Sequence, residues 1–274
     1  MKFFITVIIS ILLISCGNGT GKKPADELHN LDSKLIIETD FGNLEVILYD
    51  KTPLHRDNFL KLASEDFYDG LLFHRVIENF MIQGGDPDSK NAKTGEMVGS
   101  GGPGYTIPAE FNDDLFHKKG AIAAARIGDN QNPEKESSGS QFYIVHGTVF
   151  SEEQLDRIEN QTNNAKLQKF FSEIFEKEEK KHIESGKEPD YNIIYQQAQE
   201  KAKIKFSETD SFSFSEKARK TYKTKGGAPH LDGSYTVFGE IVDGIDVIDK
   251  IASVPVDSND RPLKDIHMNI KFVN

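Results

Sequence analysis

The sequence predicts a mainly β domain closed into a barrel and interrupted once by a helical insertion. Three observations carry that expectation. Short strand-like runs alternate with Gly-rich connections up to about residue 150 and again after about residue 226. Few helix signals fall in those two segments, the clearest being Thr52-Pro53. Between them, residues 151–225 change period, with apolar side chains recurring every three or four positions instead of every two.

The elements follow in order. "KLIIETDFGNLEVILYD", residues 34–50, places two apolar runs around "DFGN", the pattern of a β-hairpin with a Gly turn. Thr52 as N-cap and Pro53 at the first helical position start a helix whose apolar side uses Leu54, Phe59, Leu60 and Ala63. Further short strands are expected over residues 71–76, 81–83, 121–126, 141–145, 235–241 and 267–273. The barrel segments are therefore residues 33–150 and 226–274, with residues 151–225 inserted between them.

The insertion opens with Ser151 and Gln154 spaced as a capping box, flanked by Phe150 and Leu155 as a hydrophobic staple. Leu167, Phe170, Phe171, Ile174 and Phe175 then share one face of an amphipathic helix. "SGKEPD" breaks the chain before a second helix carrying Ile194, Tyr195, Ala198 and Ala202, and "SEKARKTY" allows a short third. Residues 151–227 hold 15 acidic and 15 basic side chains. The acidic excess therefore belongs to the rest of the chain. The apolar stripe needs a partner, expected from the other insertion helices, which makes this region a small subdomain and not a linker.

The N-terminus reads as a separate signal. Lys2 precedes an apolar run from Phe3 to Ile14, followed by Ser15-Cys16-Gly17. That run is too short to cross a bilayer as a helix, which takes roughly 20 apolar residues, and suits the h-region of a signal peptide. "LISC" resembles a bacterial lipobox, which implies cleavage before Cys16, lipid on that cysteine and attachment to a membrane of the cell envelope. Residues 17–32 read as a flexible tether.

Composition narrows the function classes. The net charge of −11 does not favour nucleic acid, which needs clustered Lys and Arg. One cysteine allows neither an internal disulfide framework nor a Cys-based zinc site. The eight histidines are scattered, without a His-x-x-x-His zinc helix. "GSGGPG", Gly99 to Gly104, has dinucleotide-motif spacing but is followed by an extended "YTIP" and not by a helix, so it reads as a loop. No metal or organic cofactor is implied.

"FHRVIENFMIQGGD", Phe73 to Asp86, sets an arginine among apolar residues. Read by period two, Arg75, Met81 and Gln83 face one side of a hairpin that turns at Glu78-Asn79. Together with "GSQFYI" and "LDGSYTVFGEIVDGIDVIDKI", in that order, this segment resembles the cyclophilins, a family of peptidyl-prolyl cis-trans isomerases. The resemblance implies an eight-stranded antiparallel barrel capped by two helices. The insertion is absent from minimal members of that family.

The resemblance also implies a site. Its catalytic arginine is Arg75, and Phe80, Met81 and Gln83 match the next site positions. Ala125, Arg126 and Ile127 stand where the family has Ala-Asn-Ala, so the asparagine is replaced. Gln141 matches a second glutamine, Tyr143 the phenylalanine of the proline pocket, His230 a rim tryptophan, Leu231 the leucine after it, and Tyr235 a histidine of eukaryotic members. Proline binding is expected to survive these changes, whereas loss of the indole at His230 puts cyclosporin binding in question.

The implied chemistry answers what an arginine does among apolar side chains. An X–Pro bond isomerises over a barrier of about 18–20 kcal/mol because rotation breaks amide resonance. The enzyme has to hold the twisted amide better than either planar form. A guanidinium can donate to the proline nitrogen as its lone pair returns, and it does not titrate near neutral pH. Phe80, Met81, Tyr143 and Leu231 can grip the ring, while Gln83 and the backbone near Arg126 can hold substrate carbonyls. Two classes of function follow: a foldase for exported proteins, or a lipid-anchored peptide-binding scaffold or chaperone with little turnover. The partners are proline-containing polypeptides in either case, with client contacts by the insertion as a further expectation.

Overall fold

The computed structural model describes residues 34–186 and 188–273. The expected signal peptide, Cys16 and the tether lie outside the described residues. Strands β1 (Lys34–Thr39) and β2 (Gly42–Leu48) form the expected first hairpin, and helix α1 (Pro53–Ser64) follows. Next come β3 (Leu71–Leu72), β4 (Arg75–Ile77), β5 (Met81–Gly84), β6 (Thr106–Ile107), β7 (Ala121–Ala124), β8 (Ser137–Ser138) and β9 (Phe142–Val145). Three helices then intervene, α2 (Glu152–Glu184), α3 (Tyr191–Ser207) and α4 (Glu216–Thr224). Strand β10 (Val237–Asp243), helix α5 (Ile245–Ala252) and strand β11 (His267–Phe272) complete the chain.

The main sheet has nine strands in the order β3-β11-β1-β2-β10-β7-β9-β5-β4, and every pairing is antiparallel. Strands β6 and β8 pair separately. The two ends of the main order, β3 and β4, are separated in sequence only by Phe73 and His74. The sheet must therefore curl until its edges lie close together. The expected closed ring of eight strands is corrected to nine strands in a curled ladder that does not close. The cause is local: the single strand expected over residues 71–76 breaks at Phe73-His74. Its first half pairs with β11 and its second half with β5. Across the break, the backbone is held by Phe73 N–H to Ile266 O and Val76 N–H to Asp260 O, at 2.9 and 2.8 Å.

Period two divides the sheet into two faces. Val76, Ile82, Ile122, Phe142 and Ile144 join the main core, where α1 contributes Phe59 and Leu60 and α5 contributes Ile248 and Ile251. Phe59 lies against Tyr68, Phe142 and Phe238 at ring separations of 5.0, 5.3 and 5.4 Å, so aromatic contacts join α1 to the sheet. The alternate residues, Met81, Ala123, Tyr143, Val145 and Val237, form a second cluster on the opposite face with Leu231.

In the insertion, Ser151 and Gln154 form the expected capping box. The stripe Leu167, Phe170, Phe171, Ile174 and Phe175 is only half-buried. Its partner is the single helix α3, which presents the buried Ile194, Ala198 and Ala202. A two-helix hairpin can cover only one side of such a stripe, so the compact subdomain expected from the sequence is instead a hairpin arm. The root of the arm is packed more fully. Leu155, Phe214, Ala218 and Tyr222 gather around Phe116 of the barrel segment, and Asn163 exchanges two hydrogen bonds with the backbone of Phe212 at 2.9 and 2.8 Å.

The start of α1 departs from the sequence reading. Pro53 occupies its first turn, but the Thr52 side chain makes no cap bond there; its hydroxyl donates to Tyr49 O at 3.4 Å. The free N–H groups are taken by a distant carboxylate. Leu54 N–H and His55 N–H donate to Glu110 Oε1 and Oε2 at 3.1 and 3.0 Å, and His55 Nδ1 lies 2.7 Å from the same carboxylate. Burial holds the His55 pKa below its usual value despite the carboxylate, so the ring donates as a neutral imidazole. Glu110→Ala should therefore destabilise the domain by about 2 kcal/mol, lowering Tm by roughly 4–8 °C. A thermal melt with an unchanged midpoint would remove Glu110 as the cap of α1.

Candidate active site

A cavity of about 620 Å³ opens on the second face of the sheet. Strand register builds it. Arg75 pairs with Gln83, Gln83 with Tyr143, Tyr143 with Ala123, and Ala123 with Val237, so one cross-strand row carries the arginine, the amide and the aromatic floor. Ile77, Met81 and Val145 form the next row on the same face. Nine of the sequence-derived residues line the cavity: Arg75, Phe80, Met81, Gln83, Ala125, Arg126, Tyr143, Leu231 and Tyr235.

Arg75 is 42% exposed, and its Nε lies 3.4 Å from Asp260 Oδ2. No partner for its two terminal nitrogens is present among the described residues. The carboxylate orients the side chain from one edge and leaves the donor fork available. Asp260 sits at φ 61° within a turn closed by Asn259 N–H and Arg261 N–H donating to Asp257 Oδ1 at 2.7 and 3.0 Å. Sequence reasoning did not find Asp260. The only signal was the turn-forming run "DSNDR", which says nothing about what the turn faces.

The apolar grip is aromatic. Tyr143 is buried, stacked on His117 at 6.1 Å and edge-on to Tyr235 at 5.9 Å. Its hydroxyl has no hydrogen-bond partner among the described residues, and burial raises its pKa, so it stays protonated. His230 is not among the residues lining the cavity. It packs tilted against Phe80 at 5.5 Å instead, supporting the wall from outside, and desolvation lowers its pKa. Met81 and Leu231 complete the cluster.

The polar side is clamped. Gln141, also not among the lining residues, donates its amide to Gly99 O and Gly101 O at 3.0 and 2.8 Å. Those two acceptors fix the orientation of its amide, so its oxygen must receive Gln83 Nε2, at 3.0 Å. The buried Asp86 carboxylate accepts the N–H groups of Gly99 and Gly101 from the other side. The "GSGG" run is thus a loop, as its sequence context suggested, and it is held at both its carbonyls and its amides. A Cβ at Gly101 would collide with Asp86 Oδ1, so a larger residue would have to displace that carboxylate from the loop.

Arg126 turns its side chain away from an open position. Its guanidinium lies 4.4 Å from the Tyr235 ring centroid, donates from Nε to Ser234 O at 2.7 Å and pairs with Asp129 at 2.7 Å. Its backbone N–H and C=O have no partner among the described residues, whereas both backbone groups of Ala125 are paired, with Gln141 and Ser138. Ile127 is exposed.

Other residues at the cavity carried no sequence signal. Arg261 is buried, pairs with Asp265 at 2.9 Å and donates to Glu96 O, which ties the 95–100 loop to the rim. His74 lines the cavity with both ring nitrogens buried and unpartnered among the described residues, and burial lowers its pKa to about 4. Beneath the floor, Asp232 accepts His117 Nδ1 at 2.7 Å and the hydroxyl of Tyr222 at 2.5 Å. Tyr222 belongs to α4, so the insertion supplies a buried support for the turn that carries His230 and Leu231. Among the described residues no group of His, Cys, Asp and Glu side chains has a metal-binding arrangement.

Comparison with known proteins agrees with this geometry. The family model "Cyclophilin type peptidyl-prolyl cis-trans isomerase/CLD" matches residues 34–163 and 221–271. A Streptococcus pyogenes protein assigned as a bifunctional phosphatase/peptidyl-prolyl cis-trans isomerase is 33% identical over 236 residues; the match takes in 85% of this chain and 37% of that one. A Staphylococcus aureus protein assigned as a peptidyl-prolyl cis-trans isomerase is 30% identical over 241 residues, covering 88% of this chain and 91% of its own. A cyclophilin-type isomerase of Cryptosporidium parvum shares the fold at a TM-score of 0.53 and 19% identity, covering 88% of this chain and 97% of its own. The same parasite protein has also been solved in the presence of the dipeptide Ala-Pro. The chain belongs to the cyclophilin-type peptidyl-prolyl cis-trans isomerases.

Proposed function

We propose that the protein isomerises X–Pro bonds in exported or envelope polypeptides, assisting their folding while a lipid on Cys16 holds it at a membrane surface. The observation that carries the isomerase chemistry is the donor fork of Arg75, without a partner among the described residues, beside an apolar pocket. The ring of a substrate proline sits against Phe80, Met81, Tyr143 and Leu231. The open backbone groups of Arg126 pair with the substrate chain as an added strand would, and Gln83 offers its second N–H. As the X–Pro amide twists, its nitrogen becomes an acceptor, and the guanidinium donates to it more strongly than to the planar forms. No covalent bond to the protein forms. The parasite relative solved in the presence of Ala-Pro supports a proline-containing substrate here.

Arg75→Ala should lower kcat/KM on an X–Pro peptide by about 100-fold or more, with the fold intact by circular dichroism. An unchanged rate would refute the role of Arg75. Strong peptide binding without turnover in the wild-type protein would favour the alternative, a peptide-binding scaffold or chaperone.

The lipid anchor rests on "LISC" alone. Cys16→Ala should release the protein from membranes on fractionation, and mass analysis of the wild type should find a lipidated N-terminal cysteine. An unmodified Cys16 in the mature chain would refute the anchor. Among the described residues no helix is long and apolar enough to cross a membrane.

We place client contact on the arm formed by α2 and α3. It exposes Tyr191, Ile193, Tyr195 and Ile204, and α2 runs beside the Pro229–Leu231 turn at the site. Removing the whole insertion would also remove Tyr222, so the informative deletion is shorter. Replacing residues 164–211 by a short Gly-Ser link keeps the Asn163–Phe212 junction. Tetrapeptide turnover should stay within about twofold, while catalysis of proline-limited refolding of a long chain should fall severalfold. Equal behaviour of both substrates would leave the arm without a role in client binding.

A further inference from the structure

The turn that carries Phe80 is pinned to two consecutive residues, His146 and Gly147. Phe80 N–H closes the turn onto Ile77 O at 3.1 Å. Asn79 adopts φ 64°, a conformation Asn tolerates better than most residues. From the other side, His146 N–H and Gly147 N–H both donate to Phe80 O, at 3.0 and 3.1 Å. The third attachment is a side chain: Asn79 N–H donates to His146 Nδ1 at 2.8 Å. The two backbone bonds are indifferent to pH. The ring bond is not, because a nitrogen that accepts a backbone N–H has to be unprotonated.

The surroundings select that state. Nε2 of His146 lies 3.1 Å from Asp249 Oδ1 on α5, so the ring's proton resides on Nε2 and Nδ1 is left as the acceptor. Lys119, on the segment leading into β7, pairs with the same carboxylate. Glu78 of the turn is the other charge facing the ring. Burial and Lys119 hold the His146 pKa below its usual value, against the opposite pull of Asp249 and Glu78.

We propose that His146 is a positioning residue for the proline pocket: its neutral ring holds the β4–β5 turn in place, and protonation of that ring releases Asn79 and loosens Phe80. Protonation turns Nδ1 from an acceptor into a donor that faces another N–H. Toward residues 146 and 147 the turn then keeps its two backbone bonds and loses the third. Phe80 is the half-buried wall of the cavity, and His230 packs tilted against it. Affinity for a prolyl peptide is therefore full above the His146 pKa and falls as pH drops through it. The proposal rests on reading the cavity as the prolyl-peptide site.

The test follows peptide affinity and the Asn79 amide together. An Ala-Pro-containing peptide is titrated by NMR from about pH 5 to about pH 7.5, with amide-proton exchange of Asn79 read in the same samples. Wild type should weaken roughly three- to tenfold toward acid, the worth of one hydrogen bond, and Asn79 should lose protection in parallel. His146→Asn keeps an oxygen acceptor near the Nδ1 position and cannot titrate in this range. It should bind as the wild type does at neutral pH and show no weakening at acid pH. His146→Ala should be weak at both ends. The inference is overturned if His146→Asn keeps the wild-type acid response, which would assign that response to another group. It is equally overturned if His146→Ala binds at neutral pH as the wild type does. Should His146→Ala fail to fold, the comparison with His146→Asn decides alone. Binding without exchange between the cis and trans peptide signals would count against the isomerase reading and leave the His146 result standing.

Discussion

The antiparallel register of β4, β5, β9 and β7 is the constraint on which the rest depends. Because side chains alternate between faces, one register sends Val76, Ile82, Ile144 and Ile122 into the main core and Arg75, Gln83, Tyr143 and Ala123 to the opposite face, where the first three line the cavity. A slip of one residue in any of these pairs would exchange the two sets. The hydrophobic core and the site are therefore specified by the same hydrogen bonds. The arginine can stand beside apolar residues because the opposite face of its strand is buried.

What surrounds that row is a set of polar clamps, not a set of reactive groups. Asp86 and Gln141 hold the Gly99–Gly101 loop from two sides, Asp260 takes one edge of Arg75, and Arg261 ties down the carbonyl of Glu96. This arrangement suits a reaction without covalent chemistry. Selecting a twisted amide over planar ones requires donors and walls already in place, since reorganising them would cost the energy meant to separate the two states.

The insertion has two parts with different physical characters. Its root is buried against Phe116, and through Tyr222 and Asp232 it braces the turn carrying Leu231. Its distal arm is a hairpin with half-buried aromatic residues. The arm is held partly by charge: Glu178 accepts from Lys181 and Lys201 at 3.1 and 2.8 Å, and Lys205 lies 4.2 Å from the Phe170 ring centroid. The root is part of the domain's packing, and the arm carries exposed apolar residues such as Tyr191, Ile193 and Ile204.

Much of this protein was legible in its sequence, and the reasons are local. The period of two around Arg75, Met81 and Gln83, the capping box at Ser151 and the three helices between residues 151 and 225 all follow from neighbours a few positions apart. The family resemblance, carried over residue by residue, named nine residues that meet at one cavity. Pairing between distant segments decided the rest. The strand expected over residues 71–76 breaks because its halves find different partners, and Thr52 yields the cap of α1 to a carboxylate more than fifty residues away. Gln141 supports the site from behind and His230 from outside rather than lining it, and Asp260, Arg261 and Tyr222 reach it from segments whose sequence is ordinary. Local propensity and periodicity are written in the order of residues. Which carboxylate meets which orphaned N–H, and which turn faces which arginine, is settled only when the sheet has curled and its loops have come together.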